Sequence, residues 1–340
     1  MPTTRAAARN RGAALWLGML VLYIVWGSTY LGIAIAVDTI PPFLMAATRF
    51  LIAGVVLLAW SMARQGRSFR APSLREWRDS AIVGGLLLGG GMGMVAFGEQ
   101  TIPSGIAALF IAMMPVWVAV LGWIFLRERL PRLAIAGIVL GFAGVAILIG
   151  PSAFGGIGAL EPLGLGAILL SPIAWSGGSL FASHRATLPT QPLVATGAQM
   201  ITGGSVLLAM SAVSGELARL QPDAISSNSI LAIVYLTVAG SLLAFTAYGW
   251  LLRVAPLPLI ATYAYVNPVV AVLLGALVLR EPIEPRTLVA GVVIVVAVAI
   301  IVTARGRMQR PAARRMAPVN GHAPSGAVTA GNPSPDAAAG

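Results

Sequence analysis

The stretch at residues 103–128, PSGIAALFIAMMPVWVAVLGWIFLRE, returns in altered form at residues 256–281, PLPLIATYAYVNPVVAVLLGALVLRE. At an offset of 153 residues the copies are identical at 9 of 26 positions, whereas chance in so biased a composition gives roughly 2–3. The identical pairs are Pro103/Pro256, Ala108/Ala261, Pro115/Pro268, Val116/Val269, Leu121/Leu274, Gly122/Gly275, Leu126/Leu279, Arg127/Arg280 and Glu128/Glu281. Each copy holds the roughly 20 apolar residues that a membrane helix needs. The chain is therefore an internal duplication of membrane-spanning segments.

Ten such segments cover most of the 340 residues, of which 58% are hydrophobic and 10% charged. A soluble protein carries about 25% charged residues, so the predicted fold class is an all-α polytopic membrane protein. We place the spans at residues 14–37, 42–62, 79–101, 103–126, 133–150, 162–183, 192–214, 229–251, 256–279 and 286–304. The first span exceeds the roughly 7–15 apolar residues of a signal peptide, and we interpret it as an uncleaved helix.

The distribution of arginines predicts the orientation of the chain. All 22 basic residues are Arg, and the net charge is +11. With a cytoplasmic N-terminus, 18 of them fall in cytoplasmic segments, 3 fall outside and one, Arg49, lies within a span. This asymmetry follows the positive-inside rule. Orientation and contact with anionic lipid account for the charge, so we expect no nucleic-acid partner.

The duplication divides the ten transmembrane helices into two sets of five. Because five is odd, the two sets must cross the membrane in opposite directions, as inverted five-helix repeats. The predicted organisation is a cytoplasmic N-terminus at 1–12, repeats at 13–150 and 162–304, and a disordered cytoplasmic tail at 305–340 that is too polar and Pro-rich to bury a core. Transporters often use inverted repeats, with the substrate site near the bilayer midplane.

Several chemistries lack the residues they require. The chain contains no Lys, no Cys and only two His. The absence of Lys excludes a Walker A loop and a retinal Schiff base, and the absence of Cys excludes disulfides and thiolate metal sites. We therefore expect no catalytic residue, no cofactor and no metal, and a membrane enzyme is the least favoured class.

Aromatic residues near the midplane are the first candidates for a binding site. Trp26 and Trp175 lie 12 and 13 residues into their spans, which puts both close to the centre of the bilayer. Belts of interfacial aromatics do not explain tryptophans at this depth. Tyr30 shares a helical stripe with Trp26, and Tyr263 lies one turn from Asn267. We predict that these five residues line a substrate cavity, with packing against other helices as the alternative.

A charged residue lies inside the second span. Arg49 is seven residues past Pro42, roughly 10 Å from the outer side, and an intramembrane charge marks a functional site by default. Glu99 lies at a similar depth, so we predict an Arg49–Glu99 pair. Arg49 would bind a substrate carboxylate and Glu99 would couple protons; a structural brace is the alternative. Gln100 and Tyr248 are weaker candidates nearby.

Prolines and glycines predict where helices bend and approach each other. Pro115 and Pro268 occupy equivalent mid-span positions, where proline frees a backbone carbonyl and bends the helix. We predict that both are structural hinges. Gly85, Gly89 and Gly93 share one face of the third span, which predicts close approach of a neighbouring helix.

The order of these features resembles one family. The stretches that carry the resemblance are WGSTY at 26–30, RF at 49–50, PSG at 103–105, the block 115–129 and the block 265–281 that begins YVNPVVA. Together they resemble two EamA domains of the drug/metabolite transporter superfamily, most closely the YedA-type exporters, over nearly all of residues 13–304. The resemblance implies a ten-helix inverted-repeat carrier of the bacterial inner membrane that exports amino acids, metabolites or drugs. Small multidrug members exchange protons on a first-helix Glu, which the core of this first span lacks.

We therefore expect a secondary active transporter that works by alternating access, with a small-molecule substrate and the lipid bilayer as partners. Aromatic stripes together with Arg49 favour an amino acid or a similar zwitterion. Facilitated uptake of a metabolite by the same fold is the alternative. A channel would need a polar stripe along its whole pore, whereas polar residues are sparse here. Proton coupling and a homodimer are left open.

Overall fold

The computed structural model describes residues 4–150, 161–255, 257–260 and 262–315. Within these ranges all regular structure is helical. Nine helices of the described chain are long and apolar enough to cross a membrane, and one shorter apolar helix joins them. The ten are α1 (Ala13–Val37), α2 (Pro42–Ser68), α3 (Leu74–Gly98), α4 (Ser104–Leu126), α5 (Arg132–Ile149), α6 (Pro162–His184), α7 (Pro192–Val213), α8 (Ser227–Tyr248), α9 (Tyr263–Val278) and α10 (Pro285–Ala304). The predicted all-α polytopic fold is confirmed.

Local sequence signals set where these helices begin. α2, α6, α7 and α10 start on a proline, whose missing N–H has no partner to lose in a first helical turn. Ser73 and Ser226 are 153 residues apart and cap α3 and α8, each accepting a backbone N–H from three residues ahead. The repeat therefore extends to the helix caps.

The duplication also appears in the backbone. Arg127 and Arg280 follow α4 and α9 with φ of 54° and 57°, the left-handed region that non-glycine residues rarely adopt. In each copy the next residue, a Glu, donates its N–H to the carbonyl of a Gly six residues earlier, at 3.2 and 3.1 Å. Both helices thus end in the same turn, and the residues that form it are among the 9 that the two copies share.

The two repeats pack against each other along matching helices. α2 packs along α7, α4 along α9 and α5 along α10, so equivalent helices meet. α3 of the first repeat packs on α6 of the second. The equivalent helices, α8 of the second repeat and α1 of the first, make the matching contact. The bundle is therefore two inverted five-helix repeats related by an approximate two-fold axis.

Bonds between the repeats tie together each end of the bundle. One end, which we call the basic end, holds the arginine-rich connections around residues 66–73, 127–131 and 185–191; there Asp79 Oδ2 accepts from Thr187 N at 2.7 Å. The opposite end, the acidic end, holds the connections around 38–41, 99–103, 214–226 and 279–284. There Thr39 Oγ1 donates to Ser229 Oγ at 2.8 Å.

Several spans depart from a regular α-helix. α1, α3 and α8 contain π-helical segments at Leu22–Trp26, Gly85–Gly93 and Leu236–Leu243. α4 consists of two segments, Ser104–Ile111 and Met114–Leu126. Pro115 follows that interruption directly, whereas Pro268 lies inside the continuous helix of α9. The proposed hinges thus have different surroundings in the two repeats.

The end of the chain differs from the predicted tail. The helix of α10 continues from Pro285 to Arg315, so residues 305–315 are helical where the sequence predicts disorder. The segment is rich in Arg and Ala, which are good helix formers, although it also contains Gly306 and Pro311. The remainder of the predicted tail, 316–340, lies outside the described residues, as does the connection 151–160.

A carboxylate from the second repeat caps a helix of the first. Glu281 accepts hydrogen bonds from Ser104 N at 2.8 Å and Gly105 N at 3.1 Å, the first two N–H groups of α4. These groups have no intrahelical partner, and Pro103 before them supplies no side-chain cap. The negative charge also opposes the positive end of the helix dipole.

We expect Glu281→Ala to lower the free energy of unfolding by about 1–2 kcal/mol, because two N–H groups lose their acceptor. Thermal unfolding of the purified protein in detergent measures this. Glu284→Ala is the matched control: its exposed carboxylate at the same end is bonded to Arg286 at 3.2 Å, so its loss should cost less than about 0.5 kcal/mol. Equal melting curves for the two variants would contradict the capping role.

Candidate functional site

An internal cavity, which we call the midplane cavity, lies between the two repeats and encloses about 910 Å³ when the solvent space at its mouth is included. Its wall draws residues from α1, α2, α3, α4, α6, α8 and α9. Most of the lining is apolar or aromatic, with a few polar groups among it. This composition suits a small amphipathic molecule.

Most of the residues singled out in the sequence meet at this cavity. The predicted binding residues in its wall are Trp26, Tyr30, Arg49, Trp175, Tyr263 and Asn267, and both predicted hinges, Pro115 and Pro268, also line it. Tyr248 is outside the lining. Its ring lies behind Trp26, with the two centroids 5.3 Å apart.

Four aromatic rings form a cluster at one side of the cavity. The Trp26 ring lies 5.4 Å from that of Phe245 and 5.1 Å from that of Tyr263, both edge to face. The Tyr248 ring lies 6.2 Å from the Tyr263 ring, also edge to face. Edge-to-face pairs at these spacings are favourable by about 0.5–1.5 kcal/mol each. The cluster therefore holds Trp26 in one orientation against the cavity.

Trp26 and Trp175 each contact a π-helical segment that belongs to the other repeat. Trp26 Nε1 donates to the Gly240 carbonyl oxygen of α8 at 3.3 Å. On the other side, Trp175 covers Gly91 of α3, where an added Cβ would lie 2.7 Å from Trp175 Cε3. Ser171, one turn before Trp175, donates to the Gly91 carbonyl at 3.0 Å. π-Helical turns often occur at functional sites, and here they position both tryptophans.

Arg49 is buried in the cavity wall, with 3% of its surface exposed. Its Nε donates to Ser241 Oγ of α8 at 2.8 Å, and its guanidinium carbon lies 4.7 Å from the Phe50 ring centroid. None of the ion pairs among the described residues includes Arg49. A buried guanidinium with one hydroxyl partner has donors left for a ligand.

The predicted Arg49–Glu99 pair does not form. Arg49 extends toward α8, whereas both Glu99 carboxylate oxygens are buried and accept no hydrogen bond from the described residues. The prediction used depth alone, and depth does not fix the direction in which a side chain leaves its helix.

One further polar atom at the cavity has no hydrogen-bond partner among the described residues. Asn267 is 8% exposed, and its Oδ1 accepts no hydrogen bond from the part of the chain that the structure describes. Ser176 Oγ donates to the Met114 carbonyl at 3.1 Å, beside Pro115. Among the described residues no cluster of three His, Cys, Asp or Glu could hold a metal ion.

Sequence reasoning missed several apolar residues of the wall. Phe50, Met92 and Phe245 line the cavity. The sequence does not distinguish them, because apolar side chains occur in membrane helices both where they face lipid and where they face a cavity. One signal was present: the 153-residue offset of the duplication relates Met92 to Phe245. Met92 and Phe245 lie at corresponding places in α3 and α8.

The chain is similar to known transporters in sequence and to one solved structure in fold. The model of the EamA-like transporter family matches residues 13–150 and 162–303. The inner membrane transporter YedA of Escherichia coli (strain K12) is 38% identical over 307 residues, covering 90% of this chain and 95% of YedA. The transporter YvbV of Bacillus subtilis (strain 168) is 28% identical, covering 92% and 96%. A solved crystal structure, 22% identical with a TM-score of 0.58, covers 87% of this chain and 99% of that one and shares the fold.

The family match extends over both repeats. The duplicated sequence and the matching backbone turns at Arg127 and Arg280 agree with it. The identity to YedA runs through nearly the whole length of both chains. The sequence prediction of two EamA domains is confirmed. The chain therefore belongs to the EamA-like transporter family of the drug/metabolite transporter superfamily, and it is a multi-pass membrane transporter.

Proposed function

We propose that this transporter is a secondary active carrier that exports small amphipathic molecules bearing a carboxylate. Amino acids, metabolites and drugs are the candidate classes. The two repeats rock about the midplane cavity, so that it opens to one side of the bacterial inner membrane at a time. Export is the direction implied by the resemblance to YedA-type exporters.

The observation that carries the substrate class is Arg49. A buried guanidinium without a carboxylate partner among the described residues is costly, and a substrate carboxylate would satisfy it with two charge-assisted bonds. The cluster around Trp26 offers a surface for an apolar or aromatic group across the same cavity. Asn267 Oδ1, which accepts no hydrogen bond from the described residues, supports a substrate ammonium as a further contact.

The arginine distribution supports the orientation. We assign the basic end to the cytoplasm, because positive charge is retained there during insertion. Both chain termini then face the cytoplasm, and the acidic end faces the outside. Facilitated uptake in the opposite direction is the second candidate, since the same fold without energy coupling would carry a substrate down its gradient.

Glu99 is the residue that we propose couples transport to protons. Its two carboxylate oxygens are buried without a hydrogen-bond donor among the described residues, so the neutral, protonated form is favoured over the charged form in this state. A state that admits water or a cation to Glu99 would release the proton. Glu99 would therefore bind and release one proton per cycle.

We expect substrate gradients to drive proton movement in liposomes that contain the purified protein and an internal pH-sensitive dye. Amino acids and cationic drugs are the screening panel. Glu99→Gln should abolish the proton signal and preserve exchange of labelled substrate, because the amide keeps the size of the side chain and cannot ionise.

Glu284→Gln is the control, since it removes an exposed carboxylate at the same end. It should keep the native proton signal. Uptake of labelled substrate without proton movement in the native protein would identify a facilitator instead, and the proposed coupling role of Glu99 would be rejected.

A further inference from the structure

A second cavity opens at the acidic end, above the midplane cavity. It encloses about 940 Å³, including space open to solvent, and is lined by the connections that follow α1 and α7 and by the outer ends of α2 and α3. Asp38, Gln100 and Arg219 give it polar walls, in contrast to the apolar midplane cavity. We call it the outer vestibule.

Two phenylalanines of the outer vestibule lie on the two helices, α2 and α3, that also line the midplane cavity. The rings of Phe43 and Phe97 are stacked, with centroids 5.7 Å apart and an interplanar angle of 7°. Both line the vestibule, while Phe50 and Met92, deeper on the same two helices, line the midplane cavity. From the acidic end inward along α2 and α3, the stacked rings therefore come before the residues that line the midplane cavity.

The helix that carries Phe43 is held by the other repeat. Glu216, in the connection after α7, accepts from Phe43 N at 3.2 Å and Leu44 N at 2.9 Å. It is 4% exposed, and α2 has no side-chain cap of its own because Pro41 and Pro42 precede these groups. Glu216 thus satisfies the first N–H groups of α2 and opposes its dipole.

We propose that Phe43 and Phe97 form the gate at the acidic end of the substrate path and that Glu216 is the latch that keeps it closed. The inference rests on the proposed function, because a gate requires transport through the midplane cavity. Glu216 belongs to the second repeat and Phe43 to the first, so rocking of the repeats pulls the latch from the first turn of α2. The ring of Phe43 then moves away from that of Phe97, and the outer vestibule and the midplane cavity become one continuous space.

Thiol labelling tests the latch without knowledge of the substrate. The chain has no Cys, so Met92→Cys provides one thiol in the midplane cavity. A membrane-impermeant maleimide is applied to the acidic end of the reconstituted full-length protein. Glu216→Gln loses the charge and one of two acceptors, so we expect Met92→Cys to react about tenfold faster in that background.

Glu284→Gln provides the matched background and should leave the labelling rate unchanged. Phe97→Ala provides a second variant, because it removes half of the gate without touching the cap; it should also accelerate labelling. Labelling rates equal to the native background in both Glu216→Gln and Phe97→Ala would overturn the gate, even if transport itself is intact.

Cross-linking tests the gate in the opposite sense. In the double variant Phe43→Cys with Phe97→Cys, a short bifunctional thiol reagent should stop transport, and a reducible linker should allow its recovery on reduction. Continued transport by the fully cross-linked protein would overturn the gate. Because labelling of Met92→Cys needs no substrate, failure of the transport assay alone would count against the proposed function and leave the labelling result to decide the gate.

Discussion

Replacing Arg49 by methionine should strongly weaken the binding of carboxylate substrates and leave the fold at least as stable as the native one. The guanidinium is 3% exposed and has the Ser241 hydroxyl as its hydrogen-bond partner. Charge-assisted bonds to one carboxylate contribute roughly 2–3 kcal/mol, so affinity should fall by roughly 30- to 150-fold.

The effect of Arg49→Met on the stability of the fold distinguishes a role in substrate binding from a structural role in holding helices together. If Arg49 held helices together through an ion pair, its loss would leave a buried carboxylate without a partner and destabilise the protein by about 3–5 kcal/mol. Among the described residues it forms no ion pair. Methionine fills similar volume and removes the desolvation cost of a buried cation, so the melting temperature should stay constant or rise.

Ligand-induced thermal stabilisation provides the measurement. Carboxylate compounds are compared with their carboxamide analogues, which keep shape and lose charge. The native protein should be stabilised by the acids alone, and Arg49→Met by neither. Ser241→Ala serves as the matched variant on α8: it frees Nε without removing the charge, so it should weaken binding less. A strongly destabilised Arg49→Met that still distinguishes acid from amide would show that the residue is a brace.

The fold was predictable because two strong signals act over the whole chain. Apolar segments of about 20 residues have no alternative to the membrane, and the arginines follow the alternation of connections between the two ends. The duplication added the inverted relation of the repeats. The ninth span is the exception: Pro256 and Pro258 lie at its start, and the continuous helix begins only at Tyr263.

The cavity was predictable where residue type and depth were both unusual. Trp26 and Trp175 are too deep for an interfacial belt, and Asn267 is polar within an apolar span. The partner of Arg49 was not predictable in the same way. Its direction depends on how α2 faces α8, and a π-helical segment of α8 places Ser241 beside it. Such a segment changes the rotation of all residues after it, and no sequence pattern marks it.

Gly84→Ala should strongly lower the free energy of unfolding, although it is a conservative substitution. Gly84 lies where α3 crosses α7. A Cβ there would overlap the Gln199 carbonyl oxygen and lie 2.9 Å from Gly203 N. Both are backbone atoms and cannot rotate away, so the helices must separate. The contact is reciprocal, since a Cβ on Gly203 would lie 2.6 Å from the Gly84 oxygen.

The expected cost is roughly 3 kcal/mol, the upper range for overpacking a close contact, even though alanine is the better helix former. Gly89 and Gly93 continue the same contact: their added Cβ atoms would lie 3.0 Å from Val206 Cγ1 and 2.6 Å from Leu207 Cδ2. This confirms that the predicted glycine face is a packing surface. Separating α3 from α7 would also displace Met92 from the wall of the midplane cavity.

Gly177→Ala is the matched control, because it is the same substitution in a membrane helix where an added Cβ meets no atom within 4 Å. It should be neutral or stabilising by up to about 1 kcal/mol. The yield of monodisperse protein and its melting temperature in detergent measure both variants. If Gly84→Ala matched Gly177→Ala, the two helices would have to be free to move apart. The close α3–α7 contact would then be one that the carrier opens and closes during transport.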